Sequence, residues 1–172
     1  KFANGAVTGA FSMMFNDMMH GGPTEKEIKR IKDEYEKVAG KKYTIKEFYA
    51  SLGGEISQNA ITYDYQNTCA ARLSQALNES GVLKIPRMRG KYNTYRGGDG
   101  NYYFINAAEM AKWLNTRWGR AKVGHVIDTG VTFQTGLSGV SGHVGVIYKS
   151  DDGGSHVTHY MDNISVTYYW CK

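Results

Sequence analysis

Proline and cysteine are both scarce in this 172-residue chain, which carries two of each. Two cysteines exclude a disulfide scaffold, because they can form at most one bridge. No apolar run approaches the ~20 residues of a membrane-spanning helix, so no span is expected. The short metal signatures are missing: there is no Cys-x-x-Cys and no His-Glu-x-x-His. Gly97-Gly98-Asp99-Gly100 lacks the following Lys-Ser/Thr of a phosphate-cradling loop and reads as a turn. What is present is ordinary for a folded domain. The chain is 41% hydrophobic and 22% charged, which excludes disorder, collagen and coiled coil, and its length suits one domain with its own core. The 21 glycines and 13 tyrosines point to many turns and aromatic-rich strands. A net charge of +5 favours anionic partners such as a bacterial wall. The positive charges are scattered, and the Lys26–Lys46 stretch is interleaved with acids. It reads as a solvated helix face, and nucleic-acid binding is not expected.

The chain divides by periodicity. Residues 1–22 mix apolar side chains with Gly5 and Gly9, lack the layout of a signal peptide, and read as a junction segment ahead of a single domain spanning 23–172. Thr24 and Glu27 have capping-box spacing, and Ile28, Ile31, Tyr35 and Val38 follow at helical intervals. A short helix is expected over Thr44–Leu52, ending at Gly53-Gly54. Another runs from Cys69 to Asn78, with Asn67 or Thr68 as its cap and Gly81 closing it. After a polar, Gly-rich excursion, Tyr102–Ile105 reads as a strand, and Asn106 caps a helix to about Trp118. The last third alternates β-rich runs with Gly-rich turns: Val123–Ile127, Val131–Thr135, His143–Lys149, Ser155–Met161 and Ile164–Trp170. Helices followed by antiparallel strands make an α+β domain.

Cys69 is the candidate nucleophile. The start of a helix presents free N–H groups and partial positive charge, which favour thiolate over thiol and can hold an oxyanion. A buried structural cysteine is the competing reading, since Cys69 and Leu73 share a helix face. The base is sought among five histidines. His143 opens a strand behind the loop 136–142, where it would be both rigid and reachable. His125 has a similar Gly-His-Val setting and stays open as an alternative. A two-residue turn at Asp152-Gly153 pairs His143 with Asp162, on one face, where the carboxylate can orient the imidazole. A longer loop would bring His159, His156, Asp151 or Asp152 there instead. A zinc site from His156 and His159 with Asp162 or Cys171 is disfavoured, because the two histidines point to opposite faces of a strand. No metal or cofactor is expected.

Asn67-Thr68-Cys69-Ala70-Ala71-Arg72-Leu73-Ser74, then Ala76-Leu77-Asn78 and Gly81-Val82, resembles the cysteine block of the fourth class of type VI secretion amidase effectors. Tyr95-Arg96-Gly97-Gly98-Asp99-Gly100 and Gly142-His143-Val144 are similar to the family's later blocks, though Gly145 stands where the family commonly has Asp. The resemblance covers about residues 44–172. It implies a papain-like, NlpC-type cysteine amidopeptidase with a Cys-His-Asp triad. Cys69 would be the nucleophile, His143 the base and Asp162 the third member. The implied substrate is the peptidoglycan stem peptide, cut between D-glutamate and meso-diaminopimelate. The opening Phe2–Phe11 resembles the junction before toxin domains of Rhs-type polymorphic toxins. Membership implies a toxin secreted by a Gram-negative bacterium into the target-cell periplasm, carried by the secretion machinery or an Rhs carrier and neutralised by an immunity protein. Two other functions fit the same residues: a deamidase or transglutaminase acting on protein glutamine, and a wall-binding module without turnover.

Overall fold

A computed structural model describes residues 21–38, 43–124, 129–136, 142–149, 155–157 and 164–172. Two capping boxes open the helical half. Thr24 and Glu27 exchange hydrogen bonds (Glu27 N to Thr24 Oγ1, 3.3 Å; Thr24 N to Glu27 Oε2, 2.8 Å) and start α1, Glu25–Lys37. Thr44 and Glu47 do the same for α2, Ile45–Leu52. Such reciprocal bonds satisfy N–H groups that a helix start otherwise leaves open. Helix α1 then buries Ile28, Ile31 and Tyr35, the face its spacing marked out.

Gly53 and Gly54 do not end the helical stretch. Both adopt positive φ (61° and 64°) and turn the chain sharply into α3, Gly54–Thr62, a helix the sequence reading left out. A Cβ on Gly54 would lie 2.6 Å from the Gly97 carbonyl carbon, so only glycine lets the 97–98 loop dock here. Gly98 N donates to Leu52 O at 2.8 Å across that contact.

Helix α4, Cys69–Ser80, is the keystone of the packing. Every residue from Cys69 to Asn78 except Gln75 is buried. Cys69, Ala70, Leu73, Ala76 and Leu77 join the main core, while Ala71 joins a smaller cluster with Phe48, Leu52, Ile56 and Tyr103. Each fully buried leucine contributes about 1.5–3 kcal/mol. Two of the helix's buried polar side chains, Ser74 and Asn78, tie it to its neighbours. Ser74 Oγ accepts from Phe104 N (2.9 Å), and Asn78 donates to Tyr102 O (2.9 Å) and accepts from Ile85 N (3.0 Å). Gly81, at φ 69°, closes the helix in the left-handed region, as its position suggested.

The Gly-rich excursion contains a two-stranded ribbon, β1 (Tyr95–Arg96) against β2 (Tyr102–Tyr103); the second strand is shorter than the sequence pattern implied. Asn106 caps α5, Ala107–Trp118, by accepting from Glu109 N at 3.0 Å. The β-rich third forms one antiparallel sheet in the order β3-β7-β4-β5-β6, from β3 (Lys122–Gly124), β4 (Gly130–Gly136), β5 (Gly142–Lys149), β6 (Ser155–Val157) and β7 (Ile164–Trp170). Val131, Val144, Val146 and Trp170 pack into the main core with α1, α4 and α5. The Trp170 indole N–H reaches Gly119 O (3.1 Å) and Asn115 Oδ1 (3.2 Å), pinning the last strand to the end of α5. Helices on an antiparallel sheet are the α+β architecture expected.

The chain also closes on its beginning. Lys172 N donates to Pro23 O at 3.0 Å, and Gly22 lies so close to the last strand that a Cβ would meet Cys171 N at 2.8 Å. Residues 1–20 of the junction segment lie outside the described residues.

Candidate active site

Cys69 is the first residue of α4, and the strand β5 carries His143 near its start. Both side chains line one cleft of about 280 Å³. Tyr35 of α1, the 43–45 segment, and Gln66, Asn67, Thr68 and Arg72 complete the walls. The long-range contact between α4 and β5 brings two distant sequence blocks together here. Cys69 and His143 are 6% and 5% exposed, so the cleft offers a recessed thiol and a recessed imidazole.

The start of α4 is built unusually. Thr68 holds the cap position, yet its hydroxyl does not bond to the helix's first-turn N–H groups. It accepts instead from Arg72 Nε at 2.8 Å. The helix therefore keeps donors available beside the sulfur. Tyr49 supports this corner by donating its hydroxyl to Asn67 O. Burial pushes Tyr49's ionisation well above the usual tyrosine range, so it remains a donor.

The charge state of Cys69 differs from the expectation that a helix start alone favours thiolate. Burial pushes the Cys69 thiol up from its ordinary value. Backbone N–H groups of Val144, Ala70 and Cys69 itself pull the other way without cancelling it. Desolvation penalises the anion more than these dipoles reward it. Burial therefore works against the thiolate, and a base that takes the proton is needed for the sulfur to attack. Val144, the residue after His143, is among the groups whose backbone N–H favours the Cys69 anion.

The third member of the constellation was inferred from hairpin arithmetic, and the observed register differs by one residue. Tyr148 pairs with His156 and Lys149 with Ser155, whereas a two-residue Asp152-Gly153 turn would pair Tyr148 with Val157. A one-residue slip swaps faces, so the pairing argument for Asp162 does not follow from this end of the ladder. Asp162, Asp151, Asp152, His159 and His125 lie outside the described residues. His156 lies on β6, opposite Tyr148. On the other side of β5, Gln134 is the direct partner of His143 and is buried; the sequence reading passed over it. Among the described residues no group of three or more His, Cys, Asp or Glu could hold a metal ion.

Both cysteines are free. Cys171 lines a different and larger cleft, of about 440 Å³, with Trp118, Arg120, Lys122 and Trp170.

A recessed cysteine at a helix start thus shares a cleft with a histidine from an antiparallel sheet in an α+β fold. Solved structures carry the same fold. The type VI effector Tae4 from Enterobacter cloacae is 21% identical, with a TM-score of 0.68 over 89% of this chain and 98% of that one. Tae4 from Salmonella typhimurium, solved in complex with the immunity protein Tai4 from Enterobacter cloacae, is 21% identical with a TM-score of 0.65, covering 86% and 98%. The Tae4–Tai4 effector–immunity complex from Enterobacter cloacae matches with a TM-score of 0.64 at 20% identity, covering 87% and 97%. Comparison with curated proteins finds no match. The family model for type VI secretion system amidase effector protein 4 matches residues 65–169, a span that includes both Cys69 and His143. The chain belongs to this family, Tae4.

Proposed function

We propose that the chain is an antibacterial peptidoglycan amidase acting as a D,L-endopeptidase. It cuts the stem peptide between D-glutamate and meso-diaminopimelate, in the periplasm of a target cell. The observation that carries this reading is the shared cleft of Cys69 and His143 inside the family-matched span.

Substrate binding expels water from the cleft. His143 takes the Cys69 proton, and the sulfur attacks the scissile carbonyl. A carbon–sulfur bond forms and the oxyanion faces N–H groups at the start of α4. The His143 imidazolium then protonates the leaving amine as the carbon–nitrogen bond breaks. The neutral imidazole next draws a proton from water, whose oxygen displaces the sulfur and releases the acid. Asp162 is the carboxylate assigned to orient His143, on the strength of the family's Cys-His-Asp triad and not of hairpin pairing.

An immunity protein that covers the cleft would neutralise the toxin, in keeping with the effector–immunity complexes of its structural neighbours. Residues 1–22 join the domain to secretion machinery or an Rhs carrier. The test is digestion of purified wall fragments, followed by mass analysis of the products. Wild type releases new amino termini at meso-diaminopimelate and Cys69→Ala releases none; equal activity in both would reject the proposal.

A further inference from the structure

Arg72 is a buried cation without a counter-ion. It is 3% exposed, and no carboxylate among the described residues pairs with it. Its neighbours are neutral. Nε bonds to the Thr68 hydroxyl (2.8 Å), Nη2 to the Tyr43 carbonyl (3.3 Å), and the guanidinium lies 4.4 Å from the centre of the Phe48 ring. Nη1 is fully buried and has no hydrogen-bond partner among the described residues. A buried charge left in this state is costly unless something supplies the missing acceptor. Burial lowers the affinity of Arg72 for its proton, with Tyr35 and Tyr49 acting in the opposite sense.

Arg72 belongs to the wall of the Cys69 cleft. Among the described residues, none of those lining that cleft is Asp or Glu. Arg72 stands three residues after Cys69, which places both on one face of α4 with Cβ atoms about 5–6 Å apart. We infer that Arg72 anchors a free carboxylate of the substrate, on the acyl side of the bond that Cys69 attacks. Resting on the amidase reading above, this assigns the partner: the α-carboxylate of a glutamyl residue joined through its side-chain carbonyl. In such a residue three carbons separate the carboxylate carbon from the scissile carbonyl carbon, a span of about 5 Å. The short Cys69 side chain and the long Arg72 side chain rise from adjacent turns of α4, within reach of the two ends of one such residue. The carboxylate completes the guanidinium's hydrogen bonds, and the planar fork suits a two-oxygen partner. The same contact holds the scissile carbonyl over the sulfur.

The experiment compares two synthetic stem peptides, one with the glutamyl α-carboxylate free and one with it converted to the amide. Wild type is expected to cleave the acid form with kcat/KM about 10- to 100-fold higher, the size of a lost charge-assisted bond. In Arg72→Gln the preference for the acid form over the amide form is expected to fall to about one, and Arg72→Lys recovers part of that preference. The wild-type comparison needs no variant, so a misfolded Arg72→Gln does not blunt it. Binding of both peptides to Cys69→Ala protein by calorimetry separates the anchor from the chemistry. Tighter binding of the acid form without turnover in wild type would support the anchor and reject the hydrolase reading. Equal cleavage or equal binding of the two peptides would overturn the anchor.

Discussion

The two cysteines occupy two clefts, and the contrast separates access from reactivity. The Cys171 cleft is larger, about 440 Å³ against 280 Å³, and its thiol is half-buried rather than recessed. Lys122 even approaches that sulfur, at 3.6 Å. Yet among the described residues no histidine lines the Cys171 cleft, and its thiol follows a strand rather than opening a helix. The smaller cleft supplies what acyl transfer needs: an imidazole, first-turn N–H groups and a cation, around a sulfur kept from water. Volume and exposure make a surface easy to reach. They do not supply a proton acceptor or stabilise an oxyanion.

The strongest way to break this comparison is mutagenesis of the two thiols. Cys69→Ala is expected to lower wall-fragment hydrolysis by about a thousand-fold or more, and His143→Ala by a similar factor, because members of such a unit fail together. Cys171→Ser should leave activity within about two-fold. A Cys171→Ser enzyme as inactive as Cys69→Ala would reverse the assignment of the clefts.

Alkylation sharpens the same contrast in the opposite order. In the free protein at neutral pH, iodoacetamide should modify Cys171 about ten-fold or more faster than Cys69, since burial works against the latter's thiolate. Peptide mass analysis over time reads both rates, and faster labelling of Cys69 would show that the helix start outweighs desolvation after all.

A backbone change tests whether the larger cleft is structural. Gly22→Ala sets a Cβ against Cys171 N and should cost about 1–3 kcal/mol in urea unfolding. Specific activity of the folded fraction should not change, because the Cys69 cleft lies elsewhere.

The smallest expected effect is a slope of stability with pH. Cys69, Tyr49 and Tyr103 all ionise above their ordinary values, from burial in each case and, at Tyr103, from the Asp99 carboxylate it bonds at 2.6 Å. Unfolded, these groups lose protons near pH 8.5 to 10; folded, they hold them higher. The stability they contribute is complete below pH 8.5 and is lost as pH rises through their folded values. Urea midpoints should therefore decline from about pH 9 upward, less steeply in Tyr49→Phe. A flat profile to pH 11 would remove the desolvation account.

Much of the helical half was legible because its signals are local. Thr24 with Glu27 and Thr44 with Glu47 are pairs three residues apart, and Gly81 ends α4 by its own φ. Helix α3 was hidden because Gly53-Gly54 normally ends a helix. Only docking of the 97–98 loop explains why the chain turns and continues, although Ile56 and Ala60, four apart and both buried, carried the signal. The hairpin register was lost to a single residue in the loop between β5 and β6, where odd or even length decides which face every later side chain takes. Gln134, beside His143 across the ladder, has no local signature at all.

By itself the sequence determined where helices begin, which residues they bury, and which thiol opens a helix, because those outcomes depend on neighbours three or four positions away. Only the tertiary structure decided that Cys69 and His143 share a cleft, that burial pushes the sulfur's ionisation up, and that Arg72 is enclosed there with no acid beside it among the described residues. Those are properties of the volume between α4 and the sheet, and burial has no meaning until both sides of that volume are in place.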